Sequence, residues 1–308
     1  MGKLILPVLA GAGWVYFVTP FWLRSIMAGC LGWLLYALKV RRSVVLQNLE
    51  LAYPSDSPEQ RSLRDEICRT SYSHLGALAL EILMLFGPMK KFVERFAELR
   101  GLEHWIEAKR AGKGVIVLSS HVGNWEVMAA TGAVQAGIDI MMVTKHLKPE
   151  WLHRGVERGR LRCGVRATYE PRTVRDILAH LKNNGTIGFV LDQYAGPPVG
   201  VRVPVFGVPV STTTAVAALV KRTGAVVLPV LNYRDTRGRF VVEIRPPAAW
   251  LESRDSSYEL AANTAAYAAQ LEKDIYAHPD QWLWIHRRFK GDLSPLRPGE
   301  WSEGRARK

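Results

Sequence analysis

Residues 114–126, GVIVLSSHVGNWE, constrain the fold more than any other stretch of this chain. The run 115–118 has the length and β-branched content of a buried strand, and an apolar helical pattern begins at Trp125. His121 is therefore expected at the carboxyl end of a strand, and Glu126 in the first turn of the following helix. In open α/β sheets, ligands bind at this edge. The stretch thus predicts an α/β fold with a binding site beside His121.

The spacing between His121 and Glu126 favours a contact only if the chain changes direction between them. In one continuous helix, residues five apart do not share a face. A change from strand to helix at Gly123 would let the carboxylate of Glu126 fold back onto one imidazole nitrogen. That carboxylate would fix the tautomer and leave the other nitrogen as a general base. The alternative is that His121 only caps the helix and satisfies backbone groups.

Length, composition and charge limit the class of protein. The chain has 308 residues, of which 48% are hydrophobic, and its mean hydropathy is near zero. This excludes a disordered chain and a polytopic membrane protein. The net charge of +13 implies an acidic partner, which could be nucleic acid, an anionic membrane, a phosphorylated lipid or an acidic carrier protein.

The three cysteines, Cys30, Cys68 and Cys163, are far apart and do not have the spacing of metal ligands. We therefore expect reduced thiols in a protein that faces the cytosol, with no disulfide framework, no metal site and no cofactor.

The first forty residues predict a membrane anchor. Residues 4–23 contain no charged side chain and are long enough to cross a bilayer as a helix. A shorter apolar run, 25–38, is followed by the basic residues Lys39, Arg41 and Arg42. We interpret residues 1–40 as one anchoring helix and an interfacial segment, with the rest of the chain on the cytoplasmic side. A cleaved signal peptide and a pair of buried core helices are the alternatives.

The remaining pattern predicts one domain, residues 41–290, and a solvated tail, residues 291–308. Strands are expected at 138–144, 186–191, 226–233 and 240–245, and long helices at 59–86 and 256–277. A loop at 194–207 is expected to lead into a helix that starts at 211–214. The fold class is therefore α/β, a mixed β-sheet flanked by helices, with an N-terminal membrane-anchoring helix.

Four further segments carry candidate binding residues. The helix expected at 150–162 contains Arg158 and Arg160, which could bind a phosphate or an oxyanion or could form a solvated face. Asp192 and Gln193 follow a predicted strand. Ser211 and Thr213 could hold an anion at the expected helix start or could merely cap it. Residues 279–290, PDQWLWIHRRFK, form an aromatic and basic patch suited to a membrane interface or an acidic partner.

Several of these segments resemble one family. HVGNWE resembles the H-x4-D/E block of the lysophospholipid acyltransferase superfamily and, in full, its lipid A late acyltransferase branch. Residues 191–215, LDQYAGPPVGVRVPVFGVPVSTTTA, resemble the second fingerprint of that family. The segment 159–162 resembles its arginine-bearing segment, with Arg160 the best match and Arg158 the nearest competitor. Residues 279–290 resemble its C-terminal signature. The resemblance extends over residues 41–290.

The resemblance implies an enzyme of the bacterial inner membrane that moves a fatty acyl chain from acyl carrier protein to a hydroxyl of a lipid A precursor. His121 and Glu126 would be catalytic, and Arg160, Arg158, Asp192 and Gln193 would bind the oxyanion or a phosphate. The residues expected to bind acceptor or donor are Asn124, Ser211, Thr213, His286 and Arg287. Another glycolipid, an aminolipid or a lysophospholipid could be the acceptor, and coenzyme A could replace the carrier protein.

A second class of function is a non-catalytic protein that binds nucleic acid or an anionic membrane. The net charge and the Trp-rich basic segment support it, but the sequence has no recognisable nucleic-acid-binding motif. We therefore expect no nucleic-acid partner. The sequence also lacks a G-x-S-x-G elbow, so we do not expect a serine hydrolase.

Overall fold

The computed structural model describes residues 2–296 and 300, with side chains from residue 5 onward. The α-helices are α1 Gly2–Val18, α2 Phe21–Ala37, α3 Arg42–Ala52, α4 Pro58–Glu81, α5 Met89–Phe96, α6 Leu102–Arg110, α7 Trp125–Ala136, α8 Glu150–Arg162, α9 Thr173–Lys182, α10 Ala215–Thr223 and α11 Ser256–Ala277. The strands are β1 Ala97–Arg100, β2 Val115–Ser119, β3 Ile140–Val143, β4 Arg166–Thr168, β5 Thr186–Val190, β6 Gly200–Val205, β7 Val208–Thr213, β8 Val226–Arg234 and β9 Phe240–Ile244. Short 3-10 helices follow α4, at Ile82–Leu85, and α11, at Pro279–Gln281.

Seven of these strands form one mixed sheet in the order β1-β9-β8-β2-β5-β3-β4. β8 and β9 pair antiparallel, and every other neighbouring pair is parallel. β2, the strand that precedes His121, lies in the middle of the sheet between β8 and β5. The prediction of a mixed sheet flanked by helices is confirmed.

The central strand is buried on both faces, as expected for a parallel strand covered by helices. Val115 and Val117 pack into one hydrophobic cluster with α5 and α7, whereas Ile116 and Leu118 pack into a second cluster with α9 and α10. This alternation follows from the two-residue period of a strand. It fixes the direction in which the residues after β2 leave the sheet.

The N-terminal segment differs from the predicted single anchor helix. Pro20 lacks a backbone N–H, and the chain breaks there into α1 and α2. Among the described residues, no single helix combines the length and apolar character needed to cross a bilayer. α2 and α3 together reach that length, but they are bent by 97° where they join.

Both N-terminal helices pack closely against the domain through glycines. A Cβ atom added to Gly32 of α2 would lie 2.4 Å from the Tyr72 carbonyl oxygen, and one added to Gly76 of α4 would lie 2.2 Å from the Ala28 carbonyl oxygen. On α1, a Cβ at Gly13 would lie 2.6 Å from the Leu83 carbonyl oxygen. The opposite side of the helix pair exposes large apolar side chains, including Val15, Val18, Trp22, Ile26 and Trp33.

The expected loop at 194–207 and the helix start at 211–214 need correction. β6 and β7 form an antiparallel hairpin in this region, and α10 begins only at Ala215. The β-branched residues of the segment favour a strand over a helix. Ser211 therefore belongs to a strand and does not lie at a helix start. The predicted solvated tail, 291–308, lies outside the described residues except for 291–296 and 300, where Asp292 accepts a hydrogen bond from Arg202.

Candidate active site

The register of two parallel strands brings His121 to Asp192. β2 pairs with β5 so that Ser119 lies opposite Val190, and the Leu191 N–H donates to the Ser119 carbonyl oxygen. Two residues beyond this pairing, His121 and Asp192 leave the same edge of the sheet side by side. This is the carboxyl edge, where parallel α/β sheets place their ligands.

Asp192 holds His121 through both of its carboxylate oxygens. Its Oδ1 lies 2.7 Å from His121 Nδ1, and its Oδ2 accepts the backbone N–H of His121 at 2.7 Å. The Trp282 indole N–H donates to the same Oδ2 at 2.6 Å. Burial alone would raise the pKa of Asp192, but the charge of His121 and these hydrogen bonds lower it to about 2. Asp192 is therefore an anion at neutral pH.

This contact determines the state of the imidazole. With Nδ1 donating to Asp192, the lone pair of the neutral ring lies on Nε2. Nε2 is within 3.2 Å of the side-chain amide nitrogen of Gln193, which can donate to it. His121 is thus oriented by a carboxylate on one side and has a basic nitrogen on the other.

Aromatic rings enclose His121. Trp125 packs edge-on against its imidazole with ring centroids 4.7 Å apart, and His286 is stacked beside it at 6.5 Å. Burial lowers the pKa of His286, and the neighbouring His121 lowers it further. His286, one of the predicted binding residues, therefore lies at the site and favours its neutral form.

The predicted contact between Glu126 and His121 is wrong. Both carboxylate oxygens of Glu126 pair with Arg160 of α8, at 2.9 Å to Nε and 2.5 Å to Nη2. Glu126 leaves the first turn of α7 toward α8, whereas the ring of His121 turns toward β5. Burial alone would lower the pKa of Arg160, but its hydrogen bond to Glu126 raises it. The two residues form a buried, bidentate ion pair.

This pairing also changes the expected role of Arg160. Two of its three guanidinium nitrogens, Nε and Nη2, bind Glu126 and hold Arg160 against the first turn of α7. Arg158 is exposed. Two residues apart on one helix, Arg158 and Arg160 project in nearly opposite directions. Of the two candidate arginines, the structure brings only Arg160 next to the H-x4-E segment.

The side chain of Asn124 stabilises the loop between β2 and α7. Its side-chain oxygen caps α7 by accepting the N–H groups of Glu126 and Val127, and its amide nitrogen donates to Glu81 at 2.8 Å. Glu81 in turn accepts a hydrogen bond from Arg234. Gly123, at φ 64°, allows the turn that places Asn124 at the helix start.

The other predicted binding residues divide into two groups. Ser211 donates to the Ala195 carbonyl oxygen at 2.5 Å, and Thr213 accepts the Ala215 N–H, so both hydroxyls are used within the hairpin and its exit. Arg287 is exposed, and the structure gives it no contact with His121. Among the described residues, no group of three His, Cys, Asp or Glu side chains could hold a metal ion.

The C-terminal segment contributes buried residues that the sequence analysis assigned to a surface patch. Trp282, Trp284 and Arg288 are almost fully buried. Arg288 donates to the carbonyl oxygens of Gln193 and Ser211, and burial lowers its pKa to about 10. The segment therefore stabilises the loop after β5. The prediction of an aromatic and basic surface patch is wrong for these three residues, because they are buried. Its only signal in the sequence was the similarity of residues 279–290 to the family signature.

Together, the sheet edge and the oriented histidine form a candidate enzyme site of the α/β class. The sequence profile of the bacterial lipid A biosynthesis acyltransferase family matches residues 4–291. The chain therefore belongs to this family, and it is a lipid acyltransferase.

Three relatives illustrate the similarity. The lipid A biosynthesis lauroyltransferase of Escherichia coli (strain K12) is 27% identical over 256 residues, which cover 82% of this chain and 80% of the relative. The lipid A biosynthesis palmitoleoyltransferase of the same organism is 30% identical over 258 residues, with the same coverage of 82% and 80%. A phosphatidylinositol mannoside acyltransferase of Mycobacterium tuberculosis (strain ATCC 25618 / H37Rv) is 30% identical over 206 residues, 64% of this chain and 61% of the relative.

Proposed function

We propose that this chain transfers a fatty acyl group from an acyl carrier protein thioester to a hydroxyl of a lipid A precursor, with His121 as the general base. The contact of His121 Nδ1 with Asp192 Oδ1, 2.7 Å long, carries the proposal. A buried anion at this position stabilises the imidazolium that forms when Nε2 takes a proton.

The proposed reaction needs no covalent enzyme intermediate. The acceptor hydroxyl displaces the Gln193 amide at Nε2 and gives its proton to His121. Its oxygen attacks the thioester carbonyl carbon and forms the new C–O bond. When the tetrahedral intermediate collapses, the C–S bond breaks and the imidazolium returns the proton to the leaving thiolate. The products are an ester and a free thiol.

The oxyanion of that intermediate needs a hydrogen-bond donor close to Nε2. Gln193 supports this role better than Arg160, because its amide lies 3.2 Å from Nε2 and Arg160 is bound to Glu126. We assign Asp192 the orienting role first expected of Glu126. In this proposal, the Glu126–Arg160 pair fixes the first turn of α7 to α8 and so supports the loop that carries His121.

The proposed acyl donor and acceptor are inferred from the similarity to relatives and from the net charge of the chain. The two Escherichia coli relatives are named for lauroyl and palmitoleoyl transfer in lipid A biosynthesis. A net charge of +13 suits an acidic carrier protein and a phosphorylated acceptor. The mycobacterial relative, named for a mannoside acceptor, supports a second candidate in which another glycolipid receives the acyl chain.

The N-terminal helices suit contact with an anionic membrane, which we propose to be the cytoplasmic face of the bacterial inner membrane. The apolar side chains exposed on α1 and α2 include three tryptophans, Trp14, Trp22 and Trp33. Tryptophan is enriched at membrane interfaces. The ammonium of Lys91 lies 5.2 Å from the ring of Trp14, at the border of this apolar surface. In this proposal the helices anchor the domain.

The test compares acyl transfer from acyl carrier protein and coenzyme A thioesters to a lipid A precursor, a mannosylated lipid and a lysophospholipid. The variants His121→Ala and Asp192→Asn should lower kcat by 10²-fold or more, the usual size of general-base catalysis. Glu126→Gln should retain more activity than Asp192→Asn. Transfer to the mannosylated lipid alone would support the second candidate. Full activity in folded His121→Ala would disprove the proposed mechanism.

A further inference from the structure

A cavity of about 660 Å³ lies beside α2, and the hydrogen-bond partners of His121, Asp192 and Gln193, do not line it. It is formed by the first two turns of α2, the C-terminal half of α4, the turn between β8 and β9, and the segment that follows α11. Its volume is within the range of small-molecule sites, roughly 300–1,000 Å³. Neither His121 nor Asp192 lines it. The apolar part of its wall includes Tyr16, Phe21, Ala28, Ala77, Phe92 and Phe240.

Arg24 places a buried positive charge in the wall of this cavity. It lines the cavity and is only 7% exposed. Its guanidinium lies over the ring of Phe96, 4.3 Å from the centroid, and its Nε has no hydrogen-bond partner. Within the described part of the chain, no carboxylate lies within ion-pair distance of it. A buried guanidinium without an anion is costly, because its desolvation is not compensated.

The other charged groups that line the cavity have partners or lie nearer to solvent. Arg234 and Glu81 pair with each other at 3.1 Å. Asp235 is half-buried, and its Oδ1 accepts the N–H groups of Arg237 and Arg239 in the β8–β9 turn. Asp280 is half-buried. Arg24 remains as a buried cation, and the positive end of the α2 dipole, with no acidic residue in its first turn, adds to its field.

We infer that this cavity binds a single-chain amphiphile with an anionic head, whose oxyanion pairs with Arg24 and whose alkyl chain packs on the aromatic wall. The site is separate from acyl transfer at His121 and does not depend on the proposed function. Phe21 lines the cavity and is 40% exposed, so the cavity reaches the surface next to the apolar side of α1 and α2. An amphiphile can therefore enter from a lipid phase as well as from water.

Equilibrium dialysis in a neutral detergent tests this site with four probes: laurate, dodecyl phosphate, dodecyl maltoside and inorganic phosphate. Laurate should bind one to one. Arg24→Met, which retains an apolar stem, should weaken laurate binding at least tenfold, whereas Arg24→Lys should retain most of it. Tighter binding of dodecyl phosphate than of laurate would assign a phosphate head. Binding of inorganic phosphate that competes with laurate and requires Arg24 would support the same anion contact.

Two further variants separate this site from the others. Ser25 lines the cavity and is exposed, so Ser25→Trp should obstruct the cavity without disturbing the core, even if Arg24→Met fails to fold. His121→Ala should leave laurate binding unchanged. Equal binding of laurate and dodecyl maltoside, with no effect of either cavity variant, would overturn the inference. Loss of binding in His121→Ala would also overturn it, because the ligand would then occupy the acyl-transfer site.

Discussion

Asp192 contacts His121 at two points, the ring Nδ1 and the backbone N–H, each at 2.7 Å. The two residues are 71 positions apart in the chain, and the parallel register of β2 and β5 brings them together. A carboxylate that binds both backbone and ring fixes the position of the ring as well as its tautomer. The position of the His121 ring therefore depends on the register of the sheet.

The lowered pKa of Asp192 predicts how stability depends on pH. Its pKa is about 2 in the folded protein and about 3.9 in an unfolded chain. A depressed pKa adds stability above the unfolded value, and this contribution is lost as pH falls through the folded value. We expect about 2 kcal/mol of the free energy of unfolding to disappear between about pH 4 and pH 2.

Other carboxyl groups titrate in the same pH range, so the contribution of Asp192 is measured as the difference between the protein and a variant that lacks this carboxylate. The free energy of unfolding of the protein and of Asp192→Asn is measured by urea denaturation from pH 5 downward. The difference in free energy of unfolding between the protein and Asp192→Asn should become smaller as pH falls. A constant difference would show that the His121–Asp192 contact does not have the charge we assign to it.

The order of the central elements could be predicted because it depends on local patterns. Val115 to Leu118, the turn at Gly123 and the helix from Trp125 each have a clear local signature. The proline at position 20 is visible in the sequence, but whether it ends the helix depends on how α1 and α2 pack on the domain. The hairpin of β6 and β7 was missed because glycine and proline suggested a loop, while cross-strand pairing stabilises strands there.

The partner of His121 could not be predicted from spacing alone. Asp192 and Glu126 were both acidic residues near a strand end, and the H-x4-E pattern favoured the nearer one. The choice depends on strand order, since β5 lies next to β2 in the sheet. Trp282, which also binds Asp192, comes from the end of the chain, and local sequence carries no signal for such a contact.

The Glu126–Arg160 pair predicts strong coupling between two substitutions. Both side chains are buried, at 11% and 8% exposure. Removing one partner leaves an uncompensated buried charge, so Glu126→Gln or Arg160→Gln alone should cost about 3 kcal/mol of stability. The double variant should cost less than the sum of the single variants. A double-mutant cycle from urea denaturation measures this, and strict additivity would show that the pair is not formed.

Two glycines of α2 provide a matched test of its packing. A Cβ at Gly32 would lie 2.4 Å from the Tyr72 carbonyl oxygen, whereas one at Gly29 has no atom within 4 Å. Gly32→Ala should therefore destabilise the protein by about 2 kcal/mol through overpacking against α4. Gly29→Ala should stabilise it by about 0.5–1 kcal/mol, because alanine favours a helix. Thermal unfolding of both variants checks this, and equal effects would contradict the docked position of α2.

The exposed tryptophans of α2 allow a test of the proposed membrane contact. Trp22 and Trp33 are 63% and 69% exposed. Transfer of a large side chain into the interface is worth about 1.5 kcal/mol or more, so each Trp→Ser change should weaken vesicle binding about tenfold. Because basic residues attract anionic lipid by about 1 kcal/mol each, Lys91→Gln should weaken binding to anionic vesicles about fivefold and have little effect on neutral ones.

Val174 provides the control for this measurement. It is 64% exposed on α9, so Val174→Ser removes an exposed apolar side chain outside the N-terminal helices. Vesicle sedimentation should find Val174→Ser unchanged while Trp22→Ser and Trp33→Ser are lost from the pellet. If all three variants bind equally well, the apolar surface of α1 and α2 does not contact lipid. If the tryptophan variants lose binding only when Tm also falls, the effect comes from helix packing, and a membrane role for these residues is excluded.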